Sequence, residues 1–422
     1  MEISKSSNKR IAIVADWLID FGWAELVISH LLEIYPEADI YASVCYMDHP
    51  MLEWRRVYTS WLQRVPFFGR HHKLAGILRP WAFRSFDLSG YDIVLCSSSA
   101  ESKQVAMGRW NKRKQWSVSS DQWASGIGAS ELQTANCKLQ TLVVYCHTPT
   151  RYYWSHFEEY KNMMEFWFFN PIARFVLDRL IGWLRKIDYE AGQKVDFFIA
   201  NSENTRERIE KYYDRESTVI YPGVTEAKLE ARNSKLEHTS LDTSHELRVT
   251  SYDYYLSLGR CIPYKRFDLL IDAFNLNGKH LILCTATDTP LFRELKKKSR
   301  TNIEWKYRVS NEEKDALMAN ARAFLFPPEE DFGLVPIEAM SHGTPVIAYG
   351  KWGALETIVE WETGVFFSRQ TPEALNQAIE RFEKMEWDRD RIREHAGKFS
   401  KGRFQEKIQN FISQNILYDS RN

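Results

Sequence analysis

The chain lacks several features that would assign it to a class at once. Its 56 basic residues balance its 56 acidic ones, so no net field draws it to nucleic acid or to a membrane, although local patches still could. No run approaches the ~20 apolar residues of a spanning helix, and the amino terminus leads into a short strand rather than a signal sequence. These absences favour a cytoplasmic protein without a nucleic-acid partner.

Paired cysteines and metal-binding motifs are also missing. The six cysteines are scattered without a C-x-x-C pair, and most lie in apolar strand-like runs. This usage favours buried free thiols in a reducing compartment. No cluster of ligand residues and no Asp-x-Asp pair beside a strand stands out. We therefore expect neither a metal nor another cofactor.

Strands and helices alternate along most of the 422 residues. Ile11–Ala15 is an apolar run typical of a buried strand, a helical pattern follows, and Ile40–Val44 is the next strand. Strand, helix and strand in this order predict a βαβ unit with a parallel sheet. The length suits two or three domains, so the sequence predicts an α/β protein.

One stretch, residues 323–356, carries the strongest chemical signal. Ala323–Phe326 is predicted as a strand, and a helix is predicted from Val335. Glu330 lies in the loop between them, and Glu338 lies eight residues further, one turn into the helix. A helix N-terminus suits phosphate, and carboxylates accept hydrogen bonds from sugar hydroxyls. The pattern predicts a pocket for a phosphorylated, hydroxyl-rich ligand, although solvated surface carboxylates would look alike.

Two further loops add candidate groups. Arg260 and Lys265 flank the loop after the predicted strand Tyr255–Leu258, where a guanidinium and an ammonium suit a diphosphate, although two cations in a surface loop would be ordinary. His147 follows the predicted strand Leu142–Cys146. A lone histidine is more often structural, but its place in a βα loop favours a functional role. Lys103 leaves two interpretations, a contact with a phosphate or the acceptor and a plain surface side chain, and base rates favour the surface side chain.

The wording EEDFGLVPIEAM…GTPVIAYGKWGALETI resembles the E-x7-E signature of retaining glycosyltransferases of family 4. It is most similar to the branch that uses GDP-mannose in bacterial polysaccharide and O-antigen assembly. Arg260 and Lys265 match the family's R-x4-K pair, and His147 matches its CHTP-x-RY-x-W segment. The chain departs from the family at Trp23, where a glycine is usual, at residues 285–290, where a Gly-rich turn is usual, and in the long polar segment 108–138, which we interpret as a loop near the acceptor.

The resemblance implies the GT-B fold, in which two Rossmann-like domains face each other across a cleft. It predicts an acceptor domain over residues 1–222, a linker over 223–250, a nucleotide-sugar domain over 251–395, and a C-terminal helix over 396–422 that returns to the first domain.

The implied function is the retaining transfer of a hexose, mannose from GDP-mannose, onto a saccharide or lipid-linked saccharide acceptor. The resemblance assigns catalysis to His147, Arg260, Lys265 and Glu330. It assigns donor binding to Gly22, Arg260, Lys265, Val309, Glu330, Phe332, Gly333, Leu334 and Glu338, with no metal. Two alternatives remain open: a UDP-sugar donor, or a catalytically silent scaffold that binds sugar nucleotides.

The aromatic and basic segment between residues 160 and 189 has a helical spacing. Two interpretations stay open: a helix that packs on the sheet, or an amphipathic face that contacts lipid headgroups at the inner side of a membrane.

Overall fold

The computed structural model describes residues 9–65, 76–108, 140–155, 157, 170–224 and 253–417. Residues 109–138 of the predicted acceptor loop and residues 225–250 of the predicted linker lie outside this part. By its internal contacts the chain divides into two units. The first comprises Met1–Tyr221 with Gln405–Asn422, and the second comprises Pro222–Phe404.

The first unit is built on a parallel sheet of seven described strands in the order β3-β2-β1-β4-β5-β6-β7. The strands are β1 (Ile11–Ala15), β2 (Asp39–Ala42), β3 (Val57–Thr59), β4 (Ile93–Ser98), β5 (Thr141–Cys146), β6 (Phe197–Ala200) and β7 (Thr218–Val219). The described α-helices are α1 (Trp23–Ile34), α2 (Arg79–Arg84), α3 (Asn170–Gln193) and α4 (Glu203–Tyr213).

The second unit has a parallel sheet of six strands in the order β10-β9-β8-β11-β12-β13. The strands are β8 (Tyr255–Leu258), β9 (Leu281–Thr285), β10 (Ile303–Tyr307), β11 (Ala323–Phe326), β12 (Val346–Tyr349) and β13 (Gly364–Phe367). The helices are α5 (Phe267–Asn277), α6 (Pro290–Lys298), α7 (Asn311–Asn320), α8 (Leu334–Ser341), α9 (Gly353–Thr357), α10 (Pro372–Phe382) and α11 (Arg389–Ala396). A last helix, α12 (Lys401–Ile412), begins in the second unit and belongs to the first from Gln405 onward.

Successive side chains of a strand point to opposite faces of the sheet, and apolar residues at both positions give each sheet a buried core on both faces. In the first unit, Ala12, Val14, Val94 and Cys96 face one buried cluster, while Ile13, between the first two, is buried on the opposite face. Continuous apolar strands of this kind belong to parallel sheets that helices cover on both faces. The prediction of an α/β fold with parallel sheets is therefore confirmed.

Both sheets have a point where the strand order reverses. It lies between β1 and β4 in the first sheet and between β8 and β11 in the second. At such a switch point the two loops at the carboxyl ends of the strands diverge and leave a crevice, where ligands of open α/β sheets bind. The topology therefore singles out one candidate place in each unit.

The chain end returns to the first unit. In α12, the Gln405 amide donates to the backbone oxygen of His30 (3.3 Å) and to the Glu33 carboxylate (2.9 Å). The ring of Phe411 meets that of Phe197 edge-on, with centroids 5.8 Å apart. A C-terminal helix that returns to the first domain was expected, while the predicted boundaries of the segments stay predictions.

One prediction about the first unit is wrong. Lys103 was expected on the surface, but it is buried, and its Nζ lies 2.8 Å from Oδ1 of Asp188. Asp188 comes from α3, far away in sequence, and also accepts hydrogen bonds from the Trp154 indole (2.9 Å) and the Tyr213 hydroxyl (2.8 Å). No local pattern around Lys103 could have indicated this partner.

Candidate functional site

The switch point of the second sheet brings a cation and a carboxylate together. Lys265 lies in the loop after β8 and Glu330 in the loop after β11, and the Lys265 ammonium forms an ion pair with Oε1 of Glu330. Both side chains are mostly buried, at 13% and 17% exposure. The sequence had assigned Lys265 to a diphosphate and Glu330 to sugar hydroxyls. Because the two groups touch, the candidate phosphate and sugar sites adjoin each other.

Arg260 begins the same loop and is exposed. Its guanidinium lies 3.5 Å from the Tyr264 hydroxyl, and Tyr264 also lies under the Lys265 ammonium, 5.6 Å from ring centroid to Nζ. Lys265 is the last residue of a single helical turn, Pro263–Lys265, that follows Arg260 in the loop. The loop therefore presents an adaptable guanidinium beside a fixed ammonium.

Threonine hydroxyls hold this loop where the family usually has a Gly-rich turn. The Cys261 amide donates to Oγ1 of Thr287 (2.8 Å), and Oγ1 of Thr289 donates to the Cys261 carbonyl (3.1 Å). Thr285 and Thr287 are joined through their hydroxyls at 3.0 Å. The unusual 285–290 segment thus has a structural task, which is to fix the loop that carries Arg260.

Two glycines determine the shape of the loop after β11. Gly333 is the N-cap of α8 and has a φ of +82°, a conformation that favours glycine. At Gly353, an added Cβ would lie only 2.3 Å from Cα of Phe332. The Gly353 amide donates a hydrogen bond to the Glu330 carbonyl (3.1 Å). The loop is therefore pressed against the start of α9, and Phe332 and Leu334 are buried beneath it.

Glu338 lies one turn into α8, as predicted, and forms an ion pair with Lys314 of α7. Burial raises the pKa of the Glu338 carboxyl, and the charge of Lys314 opposes this shift. Val309, the last predicted donor contact, follows β10 at the edge of the sheet, two strands from β8. Strands are ~4.8 Å apart, so β10 lies ~10 Å from β8, the strand that precedes the Arg260 loop.

The switch point of the first sheet is organised around Asp16. This residue follows β1, and its carboxylate accepts hydrogen bonds from the amides of Ser99 (2.6 Å), Ala100 (2.9 Å) and Ser102 (2.7 Å), which follow β4. Burial raises the pKa of Asp16, and the hydrogen bonds from the Ser99 and Ser102 amides oppose the shift. Asp16 thereby ties together the two loops that diverge at this point.

His147 follows β5, next to β4 in the sheet. Its Nε2 lies 2.8 Å from Oγ of Ser97, its amide donates to the Ser98 carbonyl (2.8 Å), and the Tyr145 ring meets it edge-on at 5.2 Å. The ring is half-buried and held from two sides. Ser97 was missed by sequence reasoning because nothing in its spacing connects it with His147.

Gly22 is the exposed N-cap of α1, and its amide donates to Oε2 of Glu25 (3.0 Å). Burial raises the pKa of the Glu25 carboxyl. Trp23 takes the first position of the helix with its side chain partly in solvent. Gly22 therefore lies at the carboxyl edge of the first sheet, as predicted, while a neighbouring indole occupies the place where the family has a second glycine.

A small notch opens at the same switch point, with a volume of about 30 Å³. It is lined by Ala15, Asp16, Trp17, Ala24, Glu25, Ile28, Ser97 and Ser99. A cavity of this size holds one water-sized group, and its polar walls suit a hydroxyl. Through Ser97 the notch adjoins His147.

The predicted residues thus form two groups. Gly22 and His147 lie at the carboxyl edge of the first sheet, and Arg260, Lys265, Val309, Glu330, Phe332, Gly333, Leu334 and Glu338 lie at the carboxyl edge of the second. Over the described residues, no group of three or more His, Cys, Asp and Glu side chains is arranged to hold a metal ion, and no helix in that part of the chain is long and apolar enough to cross a bilayer.

Comparison with known families gives this geometry a context. Residues 243–399, which include every candidate of the second unit, match the family model described as glycosyl transferases group 1. The predicted resemblance is confirmed over this region, while the bacterial O-antigen context stays a prediction.

Curated proteins similar to this chain include α-1,3/1,6-mannosyltransferases named ALG2. The protein from Candida glabrata is 27% identical over 212 residues, which cover 40% of this chain and 45% of the relative. The protein from Dictyostelium discoideum is 25% identical over 184 residues, covering 36% and 44%. The chain therefore matches less than half the length of these relatives.

Solved structures extend the likeness to nearly the whole chain. The lipopolysaccharide galactosyltransferase WaaB covers 96% of this chain and 100% of its own, with a TM-score of 0.60 and 16% identity. Sucrose-phosphate synthase from Thermosynechococcus elongatus covers 98% and 100%, with a TM-score of 0.63 and 15% identity. These similarities confirm the GT-B fold.

Proposed function

We propose that this chain is a retaining glycosyltransferase that moves mannose from GDP-mannose onto a saccharide or lipid-linked saccharide. The observation that carries the proposal is the pair Lys265–Glu330 at the switch point of the second sheet. A cation for a diphosphate adjoins a carboxylate for sugar hydroxyls, which are the two groups that a nucleotide-sugar joins. The match of residues 243–399 to the group 1 family model supports the same conclusion.

In the proposed mechanism, Arg260 and Lys265 bind the diphosphate and stabilise the negative charge that develops as the sugar–phosphate bond breaks. Glu330 accepts hydrogen bonds from the transferred sugar, and Glu338 accepts them from the ribose. The backbone of the loop Phe332–Leu334, at the start of α8, supports the phosphate end. Arg260 suits its role because a guanidinium binds two phosphate oxygens in one plane.

Arg260→Ala tests the phosphate role. We expect turnover to fall at least ~100-fold, the loss typical for removal of one charge-stabilising donor, and donor-induced thermal stabilisation to shrink. Arg293→Ala is the matched control, because Arg293 is an exposed cation of the same unit that pairs with Asp288 at 2.9 Å. Unchanged turnover in Arg260→Ala would mean that the diphosphate binds elsewhere.

Thermal stabilisation by GDP, GDP-mannose, UDP and UDP-glucose identifies the donor, because a ligand that binds only the folded state raises the melting temperature. The mannosyltransferase relatives favour mannose. UDP is the alternative nucleotide, since a similarly folded protein, HepE from Anabaena (TM-score 0.61, 16% identity), was solved with UDP-glucose. A shift with GDP and GDP-mannose alone supports the proposal, and a shift with UDP compounds alone replaces the donor. No shift with any nucleotide contradicts donor binding.

Donor hydrolysis and product analysis address the remaining parts of the proposal. Binding without turnover would identify the scaffold alternative. Retention of configuration is read from the one-bond C1–H1 coupling of the transferred sugar in the product, and an inverted product would contradict the retaining mechanism. Full activity in excess chelator is expected for an enzyme without a metal requirement. Loss of turnover without loss of donor binding in His147→Ala is expected if His147 orients the sugar.

We further propose a peripheral membrane contact on the first unit. The indoles of Trp81 (α2) and Trp183 (α3) stack at 5.2 Å, and both are exposed. Arg179 and Lys186 are exposed on α3 at helical spacings of four and three from Trp183. An aromatic pair flanked by cations suits the headgroup region of an anionic bilayer.

Sedimentation with vesicles of pure phosphatidylcholine and with vesicles that contain phosphatidylserine tests this contact. Trp81→Ala/Trp183→Ala should release the protein from anionic vesicles, whereas Trp54→Ala, at a fully exposed indole on the same unit, should not. Equal sedimentation of both variants would contradict the proposed face. The cytoplasmic location stays a prediction.

A further inference from the structure

The carboxyl edge of the first sheet carries large apolar side chains that the proposed donor chemistry does not use. Phe21 is 44% exposed and Trp23 is 36% exposed. Phe21 lies between β1 and α1, and Trp23 is the first residue of α1. Exposed aromatic side chains that cluster at one place mark a binding surface more often than isolated ones do. Trp23 is also where the chain departs from the family's usual glycine.

The segment that presents these rings is held firmly. The Leu18 amide donates to the Val44 carbonyl (2.9 Å), and the Leu18 carbonyl accepts from the Tyr46 amide (2.7 Å). Leu18 itself is completely buried. The Phe21 ring stacks on His49 at 4.1 Å with an angle of 12° between the ring planes. The Phe21 ring is therefore ordered by the fold and does not pay a large entropy cost when a ligand binds.

The polar notch described above adjoins the same segment. Asp16 and Trp17, which begin it, line the notch, as does Ala24, the residue after Trp23. The notch holds one water-sized group and offers oxygen atoms from Asp16, Glu25 and Ser97. The segment therefore offers two kinds of contact to a ligand, aromatic rings for an apolar face and a polar notch for a single hydroxyl.

That chemistry fits a pyranose sugar. One face of a pyranose ring consists of C–H groups, which pack on the negative face of an aromatic ring, while its hydroxyls need polar partners. An apolar peptide would have no use for the notch, and a nucleotide phosphate would meet Asp16 and Glu25. We propose that Phe21 and Trp23 form a platform for the terminal sugar of the acceptor, with one sugar hydroxyl in the notch. This inference rests on the proposed glycosyltransferase function and assigns its acceptor to a saccharide at named residues.

Fluorine NMR on the full chain labelled with 5-fluorotryptophan tests the platform. The chain has 15 Trp residues, and the Trp23 and Trp54 signals are assigned from the variants Trp23→Phe and Trp54→Phe. Titration with methyl α-mannopyranoside should move the Trp23 signal in a saturable way and leave the Trp54 signal in place. Trp54 is the matched control because it is fully exposed and precedes β3, at the opposite edge of the sheet. Sorbitol, a polyol without a pyranose ring, should move neither signal.

Substitution and donor binding complete the test. Phe21→Ala, read from the Trp23 signal, and Trp23→Gly, read by titration calorimetry, should each weaken binding of methyl α-mannopyranoside at least 10-fold. Both variants should keep the melting temperature and the stabilisation by GDP-mannose. A Trp23 signal that does not move, or that moves equally with sorbitol, overturns the platform even where GDP-mannose stabilises the protein. If methyl α-mannopyranoside moves Trp23 but no sugar nucleotide stabilises the protein, the donor proposal fails and the sugar-binding platform stands.

Discussion

The buried pair Lys103–Asp188 offers a quantitative test of how the first unit is held together. At 2.8 Å and an effective dielectric constant of ~20, the two charges attract each other by ~6 kcal/mol. Burial of both ions opposes this attraction, and therefore the net contribution of the pair is small. Removing only one partner is different, because the other charge then stays buried without compensation.

Lys103→Met should cost about 3–5 kcal/mol of folding free energy. Asp188 would keep its hydrogen bonds from Trp154 and Tyr213 but lose its counter-charge. For a unit of this size, ~2–4 °C of melting temperature is lost per kcal/mol, so we expect the melting temperature to fall by about 6–20 °C. Calorimetry of the transition that belongs to the first unit measures the effect.

A double-mutant cycle decides whether the pair is the cause. Lys103→Met/Asp188→Asn leaves no unpaired charge, and it should be less destabilised than the sum of its two single variants by about 2–3 kcal/mol. Lys306→Met is the control, because Lys306 pairs with Glu313 at 3.0 Å near the surface, where such pairs contribute less than about 1 kcal/mol. Costs that add within about 0.5 kcal/mol, or an equal loss in Lys306→Met, would refute the reasoning.

Three further predictions concern the two candidate sites. Gly353→Ala should lower the free energy of unfolding by about 1–3 kcal/mol through overpacking and weaken donor binding, since its Cβ would collide with Phe332. Gly402→Ala is the control, because nothing lies within 4 Å of the added Cβ, and it should leave the melting curve and the donor titration unchanged. Equal behaviour of the two variants would contradict the close approach of Gly353 to Phe332. Burial raises the pKa of Glu25 in the folded state, so the folded wild type binds more protons than the unfolded chain and loses stability as pH rises from about 4.5 to the folded pKa. Glu25→Gln lacks this loss, and its stability relative to wild type should therefore rise across the same window. Parallel profiles of unfolding free energy against pH would disprove this. Burial raises the pKa of Cys261 to about 11 and that of Cys284 to about 12. Iodoacetamide at pH 8 should therefore modify both thiols slowly in the native protein and rapidly in urea. Fast labelling of the native protein, detected by peptide mass mapping, would contradict their burial.

Much of the second unit could be read from the sequence because its signals are local. The strand Ala323–Phe326 is where it was predicted, and α8 begins one residue before its predicted start. The positions of Glu330 and Glu338 follow from this, since eight residues of one loop and one helical turn fix their separation. Strand periodicity, turn residues and helix ends all act within a few residues, which a sequence displays directly.

The partners of these residues could not be read in the same way. Lys265 and its partner Glu330 are 65 positions apart in the chain. Glu338 and Lys314 are 24 positions apart, and His147 and Ser97 are 50 positions apart. In each case the strand order, which decides which loops become neighbours, sets the contact. A single sequence contains no record of that order.

Hydrophobic period and side-chain chemistry are local properties, so the amino-acid sequence was enough to predict the parallel α/β architecture and the chemical character of the loops. The residues assigned to a nucleotide-sugar stay a prediction. The fold was needed to show which charges pair, that Lys103 is buried beside Asp188, and that Asp16, Glu25 and Ser97 line one notch. Those properties depend on which chain segments exclude water from one another, and long-range packing alone settles that.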